Sequence, residues 1–407
     1  MVQIHEYTIG VAAEPLHRYC LGGYHPTRLH DRLHDGRYEI VQKLGFGAFS
    51  TVWFARDIAK EQNVGIKIIA ADKSDEASRE LGVLQALRDR GDPGHPGHRH
   101  VSHIAESFHV QGPNGRHLCV VMDVLGPAVS SVAARCPNYR LDGNRARSIS
   151  RQLLLAVDYL HSLSVAHGDI HMGNVLFCLP DAETVSRENT IQLFGAPQIG
   201  KIARKDGRPL PPGMPGYLVE QAEISPRIYP HLCEIKLVDF GEAFFFADPP
   251  SSISTPLSLH PPELVFQRPL SEAVDLWNLG ATTYELVTGR TPFEADFDDK
   301  DLIPQFQKVI GDLPEEWLQE ALATGAVENA SDYSSADYFL SLEEEIRRSY
   351  FDGYKTETLQ LGEAELKTLG KYLRKLLIIN PDHRATTGQL LDDAWVSYEG
   401  RDPTSAE

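Results

Sequence analysis

The chain is short of several things that define other classes of protein. Nowhere in its 407 residues does an apolar run reach the ~18 residues that span a bilayer, and the opening MVQIHEYTIG lacks the basic-then-apolar layout of a secretory signal. The expectation is a protein of the cytoplasm or nucleus that does not enter the membrane. Cysteine is scarce: Cys20, Cys119, Cys136, Cys178 and Cys233 are scattered, odd in number and form no CxxC pair. That excludes a disulfide framework or a zinc site and leaves ordinary reduced thiols. Positive charge is in deficit too. Lysine plus arginine number 39 against 57 aspartates and glutamates, a net charge of −18, which argues against a nucleic-acid backbone as partner and leaves room for a basic one. No internal repeat is present. Disorder throughout is excluded, because 42 % of residues are hydrophobic and 9 % aromatic, enough for two or three packed units.

What is present changes character along the chain. Between residues 38 and 70, YEIVQKL, TVWFARD and NVGIKIIA alternate as half-buried antiparallel strands do. Ser74, followed by Asp75 and Glu76, reads as a helix start, with Leu81, Leu84 and Leu87 along one face up to the breaker GDPGHPGH. HVSHIAESFHV and RHLCVVMDVLG have strand character. RSISRQLLLAVDYLHSL then sets Ile149, Leu153, Val157 and Leu160 on a single helical stripe, and EAVDLWNLGATTYELVTG and EAELKTLGKYLRKLL carry the same period. The sequence predicts an α+β protein: a small antiparallel sheet with one helix, then a mainly helical half beginning near residue 126. The proline-rich stretch 180–232 has few sustained apolar patterns and reads as a loosely ordered insert.

Three motifs carry chemistry. Gly45-Phe-Gly47-Ala-Phe-Ser50-Thr-Val52 is a turn between strands whose missing side chains let backbone N–H groups approach phosphates, although a Gly-x-Gly hairpin alone is an ordinary tight turn. Lys67 lies on the following strand, within reach of phosphate oxygens, and Glu80, in the predicted helix, can orient its ammonium; the plain alternative is a surface ion pair. The second motif, His167-Gly-Asp169-Ile-His171-Met-Gly-Asn174, puts an aspartate and an asparagine in one loop, able to divide proton acceptance from Mg²⁺ ligation. In the third, Leu237-Val-Asp239-Phe-Gly241, a carboxylate ends an apolar strand and can supply the metal with a second oxygen.

In this order the motifs resemble the signature set of the eukaryotic protein kinases, from about residue 36 to 398. Pro261-Pro-Glu263, Asp275-Leu-Trp277-Asn-Leu-Gly280 and Pro381-Asp-His-Arg384 are similar to that family's later landmarks, and the resemblance implies a buried Glu263–Arg384 ion pair. Tyr19-Cys-Leu-Gly-Gly-Tyr-His-Pro26, Gly36-Arg-Tyr38 and the 65-residue spacing between Asn174 and Asp239 resemble the SR-protein-specific kinases, in a divergent fungal-type form. The resemblance implies a bilobal kinase fold: an N-terminal extension over 1–35, an N-lobe over 36–125, a C-lobe over 126–398 holding the 180–232 insert, and a tail over 399–407. It further implies a monomeric serine/threonine kinase that moves the γ-phosphoryl of Mg-ATP to serines of arginine/serine-rich proteins. Asp169 would be the base, with Lys67, Glu80, Asn174 and His171 beside it. Leu44, Gly45, Gly47, Ser50, Val52, Gly65, Lys67, Met122, Asp123, Leu125 and Asp239 would surround ATP, and Asn174 and Asp239 would hold Mg²⁺.

Four departures qualify that picture. Gly168 replaces the arginine that usually precedes the catalytic aspartate, which argues against activation through a phosphorylated loop. His171 replaces the lysine that contacts the γ-phosphate, and a neutral imidazole is a weaker electrophile than an ammonium. Gly65 stands for the customary alanine, one methyl contact fewer, and the segment before Pro261 lacks the basic residues that commonly read substrate. His171 keeps a second reading in play, a nucleotide-binding pseudokinase acting as a scaffold. An acidic run, Asp296, Asp298, Asp299 and Asp301, falls where this family docks arginine-rich substrates, although such runs are often only solvated faces.

Overall fold

A computed structural model describes residues 6–75, 77–295, 298–311, 313–323, 341–351 and 360–397. The described chain forms two compact units, and the division is not a single cut: the described residues up to Asp89, Ser102–Pro127 and Cys178–Leu232 form the first, and Arg90–Val101, Ala128–Phe177 and the described residues from Cys233 on form the second.

The first unit is built on a six-stranded antiparallel sheet in the order Arg32–Leu33, Tyr38–Gly47, Ser50–Asp57, Gln62–Ile69, Gly115–Met122, Ile104–Gly112. The alternation in the sequence is the cause. Tyr38, Ile40, Trp53, Ala55, Ile66, Ile68, Cys119 and Val121 project into one buried cluster with Val219. The pairing of Val52 with Lys67 sets the lysine directly across from the strand that follows the glycine turn.

One helix, Ser78–Arg90, joins this sheet and begins later than the sequence suggests. Ser74 caps nothing. Its hydroxyl donates to Ala70 O at 3.0 Å and accepts the Leu118 N–H at 3.0 Å, so it bridges two strands instead.

The stretch 180–232 is the larger correction. It is neither loose nor part of the helical half: Cys178–Leu232 packs within the first unit. Helix Arg187–Phe194 starts on a Ser186 side-chain cap, strand Ile199–Lys201 pairs with Tyr217–Val219, and Ala203–Arg204 pairs with Tyr7–Thr8. Ile202, Met214 and Leu218 share a buried cluster with Leu16, Tyr19 and Tyr24 of the N-terminal extension. Each apolar island is too short to show a period, and its partner is far away in sequence, so no local pattern announces it.

The second unit is mainly helical, as predicted. Helix Gly143–Ser162 starts on Asp142, whose carboxylate accepts the Arg145 N–H at 2.9 Å, and its stripe of Ile149, Leu153, Val157 and Leu160 is fully buried. Helix Ala273–Thr288 is buried on nearly every side, and helix Glu363–Leu376 buries Leu366, Leu369, Leu373 and Leu376. Two short strands, Val175–Cys178 and Ile235–Leu237, pair antiparallel with Val175 opposite Leu237. That register is what brings the second and third motifs together.

Among the described residues no helix is long and apolar enough to cross a membrane.

Candidate functional site

In the second unit the strand pair leaves Asn174 just before one strand and Asp239 just after the other, and the Val238 N–H donates to Asn174 O at 2.9 Å. His167 ties the same two segments. Its Nε2–H donates to Val238 O at 3.0 Å, its Nδ1 accepts the Asp169 N–H at 3.2 Å, and its ring lies 5.0 Å from that of Phe240. Both ring nitrogens are thereby committed and the tautomer is fixed.

The loop is anchored from below by a residue whose role the sequence reading missed. Asp275, fully buried in helix Ala273–Thr288, accepts the His167 and Gly168 N–H groups, each at 2.8 Å, and faces His161 Nε2 at 2.9 Å. Thr282, two turns on, donates to Ile170 O at 3.1 Å. An aspartate near the start of a largely buried helix was the available signal, since a buried carboxylate persists only when hydrogen-bonded. Gly168 has a φ of +78°, and a Cβ there would stand 2.7 Å from Glu242 O. Arginine at this position would meet the backbone itself.

Within that frame Asn174 Nδ2 donates to both Asp169 O and Asp169 Oδ2, each at 2.9 Å. Asp169 Oδ1 is buried and has no hydrogen-bond partner among the described residues. One carboxylate oxygen is held and the other keeps its lone pairs, the arrangement a proton acceptor needs. With its amide nitrogen committed, Asn174 has Oδ1 as its remaining side-chain polar atom; Asp239 follows Val238, whose N–H donates to Asn174 O, and its φ of +66° stores backbone strain at that point. Among the described residues no group of three or more His, Cys, Asp or Glu side chains is placed to hold a metal ion. One amide oxygen and one carboxylate do suit Mg²⁺, which keeps several waters and takes the rest of its shell from phosphates.

His171 is held in one tautomer. Its Nδ1 accepts the Gly173 N–H at 3.0 Å, so the proton sits on Nε2, 3.5 Å from Asp169 Oδ2. A proton on Nδ1 as well would break the Gly173 bond. Glu285, on the anchoring helix, is pushed above the usual carboxylate range by burial, and the nearby His171 opposes that rise.

In the first unit Lys67 Nζ and Glu80 Oε1 lie 2.7 Å apart, with 16 % and 11 % of their side chains exposed. This is no surface pair. Gly45, Gly47 and Ser50 form the turn, with Gly47 opposite Ser50, and Leu44 and Val52 flank it half-buried. Met122 and Asp123 are half-buried on the strand end and Leu125 is buried. Gly65 needs a different account from a missing methyl: a Cβ there would meet Asp123 O at 2.8 Å, so glycine lets two backbones approach.

The acidic run divides. Asp296 lies outside the described residues, Asp298 and Asp301 are exposed, and Asp299 Oδ1 takes His260 Nδ1 at 2.5 Å while His260 Nε2 donates to Thr255 O at 3.0 Å. Asp299 is therefore committed within the chain.

Comparison with known proteins follows the same lines. The protein kinase domain family matches residues 38–186 and 228–396, leaving out much of the 180–232 insert. SRSF protein kinase 3 of Homo sapiens is 37 % identical over 167 residues, covering 40 % of this chain and 29 % of that protein. Protein kinase dsk1 of Schizosaccharomyces pombe is 38 % identical over 164 residues, covering 40 % and 30 %. The chain thus spans under a third of the length of these relatives. A serine/threonine protein kinase of Aspergillus fumigatus is 28 % identical over 397 residues, 95 % of this chain and 91 % of that one. A crystallised kinase domain superposes with a TM-score of 0.63 at 19 % identity, over 91 % of this chain and 98 % of that one, a likeness of fold alone.

Proposed function

The chain belongs to the protein kinase domain family, and on that premise we propose that it is an active serine/threonine kinase of the SR-protein type, acting on arginine/serine-rich proteins in the cytoplasm or nucleus. The observation that carries the reading is Asp169, held through Asn174 on Oδ2 and, among the described residues, left with an unbonded, buried Oδ1. That oxygen accepts the proton of a substrate serine as the hydroxyl attacks the γ-phosphoryl of ATP. The glycine turn approaches the phosphates with its N–H groups, and Lys67, steadied by Glu80, faces their oxygens. Asn174 Oδ1 and Asp239 would hold Mg²⁺, which supplies charge neutralisation on the transferring group. His171 offers Nε2–H where an ammonium is usual.

The homology to SRSF protein kinases supports an arginine-rich substrate, as does the net charge of −18. The exposed Asp298 and Asp301 supply the docking charge. His171, an imidazole where an ammonium is usual, favours one competing reading, a pseudokinase that binds nucleotide as a scaffold. Labelled ATP, Mg²⁺ and an arginine–serine repeat peptide decide between them, run beside a basic control peptide and the Asp239→Ala protein. Serine phosphorylation that prefers the repeat and vanishes in the variant is expected. Nucleotide binding without transfer would hand the case to the scaffold, and His171→Lys becomes the next protein to assay. In an active enzyme, Asp298→Lys with Asp301→Lys raises KM for the repeat peptide and leaves KM for ATP unchanged.

A further inference from the structure

The glycine turn of the first unit is held from outside by the N-terminal extension. Tyr24, 1 % exposed, donates its hydroxyl to Gly47 O at 2.7 Å, with Ala48 O sharing the proton at 3.1 Å. These are the two carbonyls at the tip of the turn. The side chain of the next residue is held as well: the Arg18 guanidinium lies 5.5 Å from the Phe49 ring centre and 5.3 Å from that of Tyr24, and Lys73 Nζ approaches Phe49 at 5.4 Å. One further tie comes from the sheet side, where the Ala70 N–H donates to Phe49 O at 2.8 Å. A cavity of about 420 Å³ borders this flank, lined by Pro15, His17, Phe46 and Phe49 among others, and Phe46 and Phe49 are 41 % and 51 % exposed. Tyr24 itself cannot drift, because it is packed in the cluster of Leu16, Tyr19, Met214 and Leu218, shared by the extension and the insert.

A glycine-rich turn is mobile by composition: with few side chains to pack, its conformation is chosen by whatever bonds its backbone. Here two carbonyls at the tip are tied to a phenol embedded in a rigid cluster. With its carbonyls turned to Tyr24, the peptide units of the tip are limited in orientation, and so are the N–H directions that would meet phosphate oxygens.

We propose that Tyr24 is a positioning residue for the phosphate-binding turn, and that the N-terminal extension and the 180–232 insert together form the rigid seat from which it acts. The inference rests on the kinase reading only for what the turn binds. Tyr24→Phe keeps the ring and deletes the two hydrogen bonds. Amide hydrogen exchange over residues 45–50 of the nucleotide-free full chain is expected to quicken roughly fivefold, the worth of about one neutral hydrogen bond, and Kd and KM for Mg-ATP to rise by a similar factor with kcat held. Tyr7→Phe is the control, a hydroxyl from the same cluster that meets Arg204 and no residue of the turn; it should move neither reading. Arg18→Met, which removes the guanidinium from the Phe49 and Tyr24 rings but leaves the Tyr24 hydroxyl in place, gives a smaller change in the same direction. Exchange over 45–50 that is identical in Tyr24→Phe and wild type overturns the proposal, as does faster exchange with unaltered Mg-ATP affinity. A wild-type protein that binds no nucleotide sinks the kinase reading instead, while the exchange comparison still decides whether Tyr24 holds the turn.

Discussion

Each unit of the molecule is crossed by a fully buried ion pair, each with its cation beside a tryptophan, and the two differ in how the charge is held. In the second unit Arg384 meets Glu263 in a fork, Nη1 to Oε1 at 2.6 Å and Nη2 to Oε2 at 2.7 Å, and spends its remaining donors on Ala273 O at 2.8 Å, Ile378 O at 2.9 Å and Ile379 O at 3.4 Å. Its plane lies 5.2 Å from the Trp277 ring centre. In the first unit Lys43 Nζ meets Glu14 Oε2, donates to Val219 O at 3.0 Å and sits 5.2 Å from the Trp53 ring centre, while the Tyr19 hydroxyl takes the other oxygen of Glu14. The arginine is saturated by a rigid fork and cannot lose its charge; the lysine is a point charge that can. Burial pushes the Lys43 ammonium below the usual lysine range and Glu14 opposes that shift, whereas burial, reinforced by Glu14, pushes the Tyr19 hydroxyl well up. One pair joins the short helix Pro262–Val265 to the late arginine motif. The other joins the N-terminal extension, the first long strand and the insert, the three parts that seat Tyr24.

The comparison is broken most severely at Arg384. Arg384→Met leaves Glu263 as an uncompensated buried carboxylate, and urea unfolding of the full chain should lose about 3–5 kcal/mol. A loss below 1 kcal/mol would mean that the fork contributes geometry and no stability.

Next in size is Glu14→Gln, which strands the Lys43 ammonium. The expected loss is about 3 kcal/mol, the low end of the same range, because lysine can release its proton where arginine cannot. The double variant Glu14→Met with Lys43→Met removes both charges and should recover most of that stability by the same unfolding measurement. If the double variant is as unstable as the single, the pair is holding the extension by specific geometry and the contrast with Arg384 disappears.

The two pairs were also unequally legible in the sequence, and the reason is physical. Glu263 and Arg384 sit in motifs whose residue types are tied together by family resemblance, so their pairing could be named in advance. Glu14 and Lys43 carry no such flag: a lysine in an alternating strand reads as solvent-facing until its partner is known, and that partner lies in an extension without periodicity. The same division runs through the site. Asp169, Asn174, Asp239, Lys67 and Glu80 are chemical residues at telling spacings, and the strand register gathers the first three as that spacing suggests. Asp275, which orients the loop, and His260, which takes Asp299, act through backbone groups or distant loops that leave no local pattern. The insert is the extreme case, ordered by contacts across nearly the whole first unit.

The smallest effect concerns the first unit alone, where pH can loosen the seat without any substitution. His25 and His117 face each other edge to face at 4.9 Å, and His117 Nδ1 donates to Ile69 O at 3.0 Å. Burial, with His117 beside it, pushes His25 down to about 4, and burial lowers His117 as well. Between pH 6.5 and about 4 the unfolded chain therefore binds a proton at His25 that the fold does not. Stability is complete above pH 6.5 and falls as the pH drops, by about 2 kcal/mol between pH 7 and 5 for His25 alone. Urea midpoints across that interval should show the slope in wild type and a shallower one in His25→Gln. Since His25 follows Tyr24 directly, exchange over residues 45–50 should quicken in parallel in the wild-type chain. A slope that His25→Gln leaves unchanged would assign the acid sensitivity to other groups and leave the two units alike in their response to protons.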